Sequence, residues 1–364
     1  MKYCILLAIV FIVSSCTKEP EKVELSGNYL IEESMSIGRG EILTFAPGST
    51  IRFAKDATIT SYSDIIIEGT EAEPITLISE DATNDHWILE TQETAKRFEL
   101  THVNIVNGLL TSRGSNCHFK NVNFFNDKNL EWNSAATRFW SGEILLEDCT
   151  LDWNRKGEGF LVHSVNQPIV RNCTFKKVND AVEYLDCSDG VIENCTFLSN
   201  SDDAIDLNNC DNILMTNNEF YGTQDRAMEI GSEGFGNSTN IRVINNLFVD
   251  CKIAVNVKEN SDAIIENATI VRGKTGFEII NEEDNGLSSN ALATKSVIVE
   301  TKWPTYTNNS TLDLEDCMSS EELKNAINTI QTNIFFADST QNDYRIVSSD
   351  FPTGYDATTI GYQK

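Results

Sequence analysis

Asp180-Ala181-Val182-Glu183-Tyr184, Asp203-Ala204-Ile205-Asp206-Leu207 and Arg226-Ala227-Met228-Glu229-Ile230 are three versions of one phrase. It continues as Ile253-Ala254-Val255-Asn256-Val257 and Thr275-Gly276-Phe277-Glu278-Ile279. Apolar and polar residues alternate at period two, the pattern of a half-buried strand and not of a helix. Val182, Ile205, Met228, Val255 and Phe277 therefore face inward, with Tyr184, Leu207, Ile230, Val257 and Ile279. Glu183, Asp206, Glu229, Asn256 and Glu278 face outward in one column. Ala181, Ala204, Ala227, Ala254 and Gly276 are expected to form a second outward column beside them.

A companion phrase lies upstream in each unit: Asp148-Cys149-Thr150-Leu151, Asn172-Cys173-Thr174-Phe175 and Asn194-Cys195-Thr196-Phe197. Looser copies end at Phe124, Phe220, Phe248 and Ile270. The closing apolar residues are 27, 24, 22, 23, 28 and 22 residues apart. A period in the low twenties, rich in β-branched residues and Asn, suits one coil of a parallel β-helix. The leucine pattern of leucine-rich repeats is absent.

These coils resemble right-handed parallel β-helix proteins of the pectate-lyase-like superfamily, over most of residues 40–300. Ile42-Leu43-Thr44-Phe45-Ala46-Pro47-Gly48-Ser49-Thr50-Ile51 and Glu68-Gly69-Thr70-Glu71-Ala72-Glu73-Pro74-Ile75 look like opening coils of secreted bacterial members. Ser201 to Asp206, Asp225 to Glu229 and Ala254 to Lys258 resemble coils that occur beside spore-coat-kinase-like domains; the kinase-like part is absent. Arg226 and Glu229 depart from the Asp-Lys-Gly-Ile-Ser form of those relatives. The resemblance implies an all-β solenoid. It is specific for fold rather than activity, because such coils serve lyases, hydrolases, epimerases and non-enzymes.

The ends read differently. Met1-Lys2-Tyr3 is a short basic start, and Leu6 to Val13 is an apolar run much shorter than the ~20 residues of a membrane span. Val13-Ser14-Ser15-Cys16 resembles a bacterial lipoprotein signal, so residues 1–15 are expected to be removed and Cys16 to carry lipid. Residues 16–26 are read as the lipidated cysteine and tether, 27–299 as the β-helix and 300–364 as a C-terminal cap. Ser319-Ser320-Glu321-Glu322 has the form of a capping box, and Leu323, Ala326, Ile327 and Ile330 follow at helical spacing. A short helix is expected near 320–330. These readings place the body in the cell envelope, at the outer membrane or cell surface, touching the bilayer through its N-terminal lipid only.

The chain has 364 residues with 55 Asp+Glu against 28 Lys+Arg, a net charge of −27. Such acidity argues against nucleic acid, whose phosphates need Lys and Arg to displace counterions. A monomer is expected.

Stacked coils lie ~4.8 Å apart. The outward column therefore puts Glu183, Asp206 and Glu229 on consecutive coils, where like charges repel. Such a cluster calls for a raised pKa or a bound cation, and hard carboxylate oxygens suit Ca²⁺. Carboxyls ~5 Å apart match a retaining glycosidase, and ~6.5–9.5 Å an inverting one. Asp202-Asp203 matches one element of polygalacturonases, but their Gly-His-Gly is absent and Val257-Lys258 only echoes their Arg-Ile-Lys. Arg226 and Lys258 are the candidate bases for β-elimination. They occupy different columns, five positions apart relative to the shared Ala, so their side chains are not expected to converge. Asp203 and Arg226 share a column and are expected to form a surface pair of little energetic weight.

The candidate catalytic residues are thus Asp203, Asp206, Glu229, Arg226 and Lys258. Glu183, Asp202, Asp225, Trp132 and Trp140 are candidates for substrate binding, and Glu183, Asp206 and Glu229 for Ca²⁺. The function expected is binding, and cleavage by hydrolysis or elimination, of an extended polysaccharide. The rival is a non-catalytic adhesin or structural module whose acids solvate the surface or bind calcium. His86, His102, His118 and His163 lack metal-ligand spacing. Of ten cysteines, eight lie in the body. Cys149, Cys173 and Cys195 share one repeat position and Cys187 and Cys210 another, read as stacks of buried thiols rather than disulfides.

Overall fold

The computed structural model describes residues 19–81, 86–126, 135–153, 157–231, 234, 236–281, 287–323, 326–346 and 359–363. The chain coils into a parallel β-solenoid. One sheet of twelve parallel strands forms a flat face, from Met35–Ile37 to Trp303–Asn308 at its edge. Glu158–His163, Val182–Leu185, Ile205–Asn208, Arg226–Ile230, Ile253–Lys258 and Thr275–Ile280 are consecutive strands within it. A second sheet of 26 strands wraps the remaining faces. The long strands Arg97–Val106 and Asn116–Asn126 pass through its corner, each pairing with two shorter strands in sequence.

The companion phrase makes that corner. Asn172, Asn194, Asn217, Asn245 and Asn267 all take the left-handed backbone conformation, with φ between 53° and 56°. Asn tolerates this region better than most L-residues, which explains its recurrence before each Thr-Phe strand. The residue that follows points inward. Cys149, Cys173 and Cys195 stand there as free thiols, and Cys195 Sγ donates to Glu193 O at 3.3 Å. In the next two coils Asn218 and Asn246 take the place, bonding Cys195 N and Asn218 N at 2.9 Å. The closing residue fills the core: Phe175, Phe197, Phe220 and Phe248 stack with centroids 4.9, 4.6 and 4.9 Å apart. All eight described cysteines are free and buried.

The inward and outward faces of the repeated phrase follow the alternation, except for the small residues. Ala181, Ala204, Ala227 and Ala254 belong to the core rather than to an outward column. They stand where the chain bends into the strand, under the backbone of the next coil. A Cβ on Gly159 would meet Ala181 O at 2.3 Å, and one on Gly276 would meet Pro304 O at 2.3 Å. Small residues are there because a carbonyl occupies the space, not to clear a groove floor.

The expected helix near 320–330 is not formed. Ala326–Ile327 pairs in parallel with Leu314-Glu315, and Ile330–Gln331 with Met318–Ser319, continuing the solenoid ladder. Ser319 is buried and its hydroxyl accepts from Glu321 N, a local turn instead of a capping box. Asn328 at φ 51° breaks the run. The helical segment among the described residues is a 3₁₀ turn, Ser339–Gln341. No helix of the described residues is long and apolar enough to cross a membrane. Phe336, Tyr344, Ile360 and Tyr362 fold back over the outward apolar residues Leu247, Val249, Val271, Val297 and Val299.

Candidate functional site

The outward column of the twelve-stranded sheet is in register: Glu183 opposes Asp206, Asp206 opposes Glu229, Glu229 opposes Asn256 and Asn256 opposes Glu278. Beside it the residues that open each phrase form a ladder tied to the backbone. Asp180 Oδ1 accepts from Asp203 N at 3.0 Å, and Asp203 Oδ1 from Arg226 N at 3.0 Å.

Side chains from two neighbouring strands meet at Glu229, which is 3% exposed. Arg226 Nε lies 3.0 Å from Oε2, and Lys258 Nζ lies 2.6 Å from Oε1. Arg226 Nη1 also reaches Asp225 Oδ2 at 3.0 Å and Asp203 Oδ2 at 3.6 Å. Two expectations are corrected. Arg226 and Lys258 converge, because the long lysine reaches back one coil to the carboxylate column. The Asp203–Arg226 contact is no exposed pair either, since the Asp203 side chain is 9% exposed. Burial works against the charge on Arg226, but Glu229, Asp203 and Asp225 outweigh it and hold its pKa above the ordinary value.

Asp206, next to Glu229 in the column, has the opposite surroundings. Oδ2 accepts from Asn208 Nδ2 at 2.8 Å, while Oδ1 is buried without a hydrogen bond. Burial first, then the charges of Glu229 and Glu183, push its carboxyl well above the usual range. Asp203 is raised likewise by burial, Glu229 and Asp206. Burial, with Glu158 and Asp180 nearby, brings Glu183 up to about 7. Asp180 also reaches about 7 through burial, reinforced by Asp202 and Glu158. Asp202 is raised by burial and by Asp225. The face thus holds a patch of carboxyls disposed to stay protonated beside one carboxylate clamped by two cations.

Ligand oxygens of Asp180, Asp202 and Asp203 lie within 4.8 Å of one another. This all-oxygen set suits a hard cation such as Ca²⁺. It differs from the Glu183–Asp206–Glu229 column that the alternation suggested. Asp180 heads the same phrase as Asp203, so its place in the ladder was readable. Glu158 was missed because its strand departs from the phrase; it lies beside Asp180 through the Gly159 N to Asp180 O bond of 2.7 Å. Trp140 stands apart, three coils before Asn208 in register, with the Arg113 guanidinium 5.1 Å over its ring. Trp153 is buried. Trp132 and Cys16 lie outside the described residues.

Known proteins bear on the fold. The family described as right handed beta helix region matches residues 107–255. A comparison with curated proteins gives no match. Among solved structures, a mutant of the periplasmic alginate epimerase AlgG is similar with a TM-score of 0.58 at 9% identity, over 78% of this chain and 77% of that one. The PL6 family alginate lyase AlyGC is similar with a TM-score of 0.51 at 11% identity, over 96% of this chain and 57% of that one. The Dettilon tailspike protein is similar with a TM-score of 0.50 at 10% identity, over 78% of this chain, which spans 61% of the tailspike. At these identities the likeness is one of architecture. Repeat period, parallel register, stacked core and the match over residues 107–255 agree: the chain folds as a right-handed parallel β-helix.

Proposed function

We propose that this is an exported, lipid-anchored surface protein whose acidic sheet face binds an extended polysaccharide and cleaves it. Asp206 would donate the proton and Glu229 would be the partner carboxylate. The observation that carries this reading is the contrast between two neighbours in one column. Asp206 lies among carboxyls, and Glu229 lies between Arg226 and Lys258. Paired carboxyls whose environments push them apart are how acid and base roles are divided. A separation of one coil, about 4.8 Å, fits the short spacing of a retaining glycosidase. Glu229, Asp203 and Asp225 hold the Arg226 guanidinium protonated, which disfavours it as a base for elimination, and Lys258 Nζ is engaged by the Glu229 carboxylate. A flat face of parallel coils suits an extended polymer, and the similar structures named for alginate enzymes support a carbohydrate partner. Export and lipidation rest on the apolar run ending in Ser14-Ser15-Cys16; Cys16→Ser should abolish incorporation of labelled fatty acid.

The test is a screen of residues 17–364 against neutral and acidic polysaccharides, with and without Ca²⁺. New reducing ends and absorbance from unsaturated uronates are read together. Reducing ends without that absorbance, lost in Asp206→Asn and Glu229→Gln, are expected. Unsaturated products would replace hydrolysis with elimination. Silence on both readouts would favour the second reading, a non-catalytic binding or structural module. One observation favours that alternative: Asp180 and Asp203 spend a carboxylate oxygen on the backbone of the next coil.

A further inference from the structure

The columns that carry Arg226 and Glu229 do not end with the carboxylates. Arg226 is followed in register by Ile253, Thr275 and Trp303. Glu229 is followed by Asn256, Glu278 and Tyr306. Arg226 and Glu229 touch across their columns at 3.0 Å. The same two columns, three coils further on, hold Trp303 and Tyr306, three residues apart on one strand. Both rings are exposed, at 45% and 50%, on the edge strand of the sheet. Large apolar residues in the coils are otherwise overwhelmingly inside, so two exposed rings on one strand are an exception.

The charge changes along the same line. Thr275 N donates to Lys252 O and Trp303 N to Lys274 O, so Lys252, Lys274 and Lys302 occupy one column beside the rings. Lys252 is drawn to Asp225 at 2.5 Å. Lys274 and Lys302 lie against Trp303, with Nζ 5.3 and 4.3 Å from the ring centroid, and among the described residues neither has an acidic partner. In a chain of net charge −27, the two lysines set positive charge against Trp303, while Glu278 stands next to Tyr306 in register.

We propose that Trp303, Tyr306, Lys274 and Lys302 form a distal subsite for a sugar ring bearing a negative group, carboxylate or sulfate, on the polymer engaged at the carboxylate site. This rests on the polysaccharide reading above. The rings supply a stacking surface for the apolar face of a pyranose, and the two ammonium groups pair with its anion. Three strand spacings, about 14 Å, separate Tyr306 from Glu229, a length that a short oligosaccharide bridges. The subsite would anchor one end of the chain and set which bond lies at Asp206 and Glu229.

The experiment measures binding of a labelled oligogalacturonate, a labelled sulfated oligosaccharide and a neutral cello-oligosaccharide to residues 17–364 carrying Asp206→Asn, so that no probe is consumed. Lys274→Ala/Lys302→Ala should weaken an anionic probe about tenfold, flatten the salt dependence of its binding and leave neutral binding unchanged. Trp303→Ala/Tyr306→Ala should weaken the anionic probe at every salt concentration. Unchanged affinity for anionic probes in both double variants, with the parent still binding them, would overturn the subsite and leave the polysaccharide reading standing. A parent protein that binds no polysaccharide, or whose edge strand captures anionic vesicles or a second copy through Trp303 instead, would overturn both.

Discussion

Lys258 reaches Glu229 from the following coil, its Nζ 2.6 Å from Oε1, with 14% and 4% of the two side chains exposed. Arg226, on the same strand as Glu229, approaches the other oxygen. One buried carboxylate therefore answers two cations, and its neighbour Asp206 answers none among the described residues. This asymmetry orders the consequences that follow.

Glu229→Gln removes the anion that Arg226 and Lys258 share. Leaving a buried charge without its partner costs about 3–5 kcal/mol, and the partial exposure of these cations points to the lower end. A loss of about 3 kcal/mol is expected from urea unfolding, with turnover abolished. Adding Lys258→Met should recover part of the stability and none of the turnover.

Asp206→Asn behaves in the opposite way. It removes a carboxyl pressed by Glu229 and Glu183 while keeping its shape. Stability should be unchanged or higher, most clearly at alkaline pH where the aspartate would have to ionise. Turnover should fall by two or more orders of magnitude, as loss of a general acid does. A variant that is stable yet fully active would remove Asp206 from the chemistry.

Asp180 and Glu183 titrate at about 7 in the folded chain, against ordinary values of 3.8 and 4.5. Between those limits the folded state holds more protons than the unfolded state, so stability falls as pH rises. The stabilisation is complete below about 4 and is lost as pH passes through 7. The urea midpoint should therefore drop between pH 5 and pH 8, and Asp180→Asn/Glu183→Gln should flatten that slope. A midpoint that climbs over this interval would contradict the carboxyl patch.

The thiols report on the core. Burial pushes Cys117 up to about 12 and Cys251 and Cys317 to about 11, far from the thiolate form that reacts. Residues 17–364 should take up little alkylating reagent when folded and eight equivalents in urea, matching the eight free cysteines. Fewer than eight without reductant would reveal disulfides, and mass spectrometry would show whether they join the stacked Cys187 and Cys210.

The sequence by itself determined the solenoid. Its period, its strand alternation and a corner led by Asn or Asp and closed by an apolar residue recur from coil to coil, because each coil meets its neighbours in the same way and must solve the same packing problem. That logic placed Glu183, Asp206 and Glu229 in one column, as the register shows. It misjudged what depends on side-chain reach and on the ends. The length of Lys258 carries its ammonium across columns that spacing alone kept apart. The alanine column turned inward because the backbone bends before each strand, a departure from strict alternation that no residue type announces. The 320–330 segment had helical spacing, yet pairing with an exposed ladder outweighed its local preference. Which carboxyls are buried, and which one is clamped, was decided only by the tertiary structure, because desolvation and charge proximity are properties of neighbours brought together by the coil and not of the chain in order.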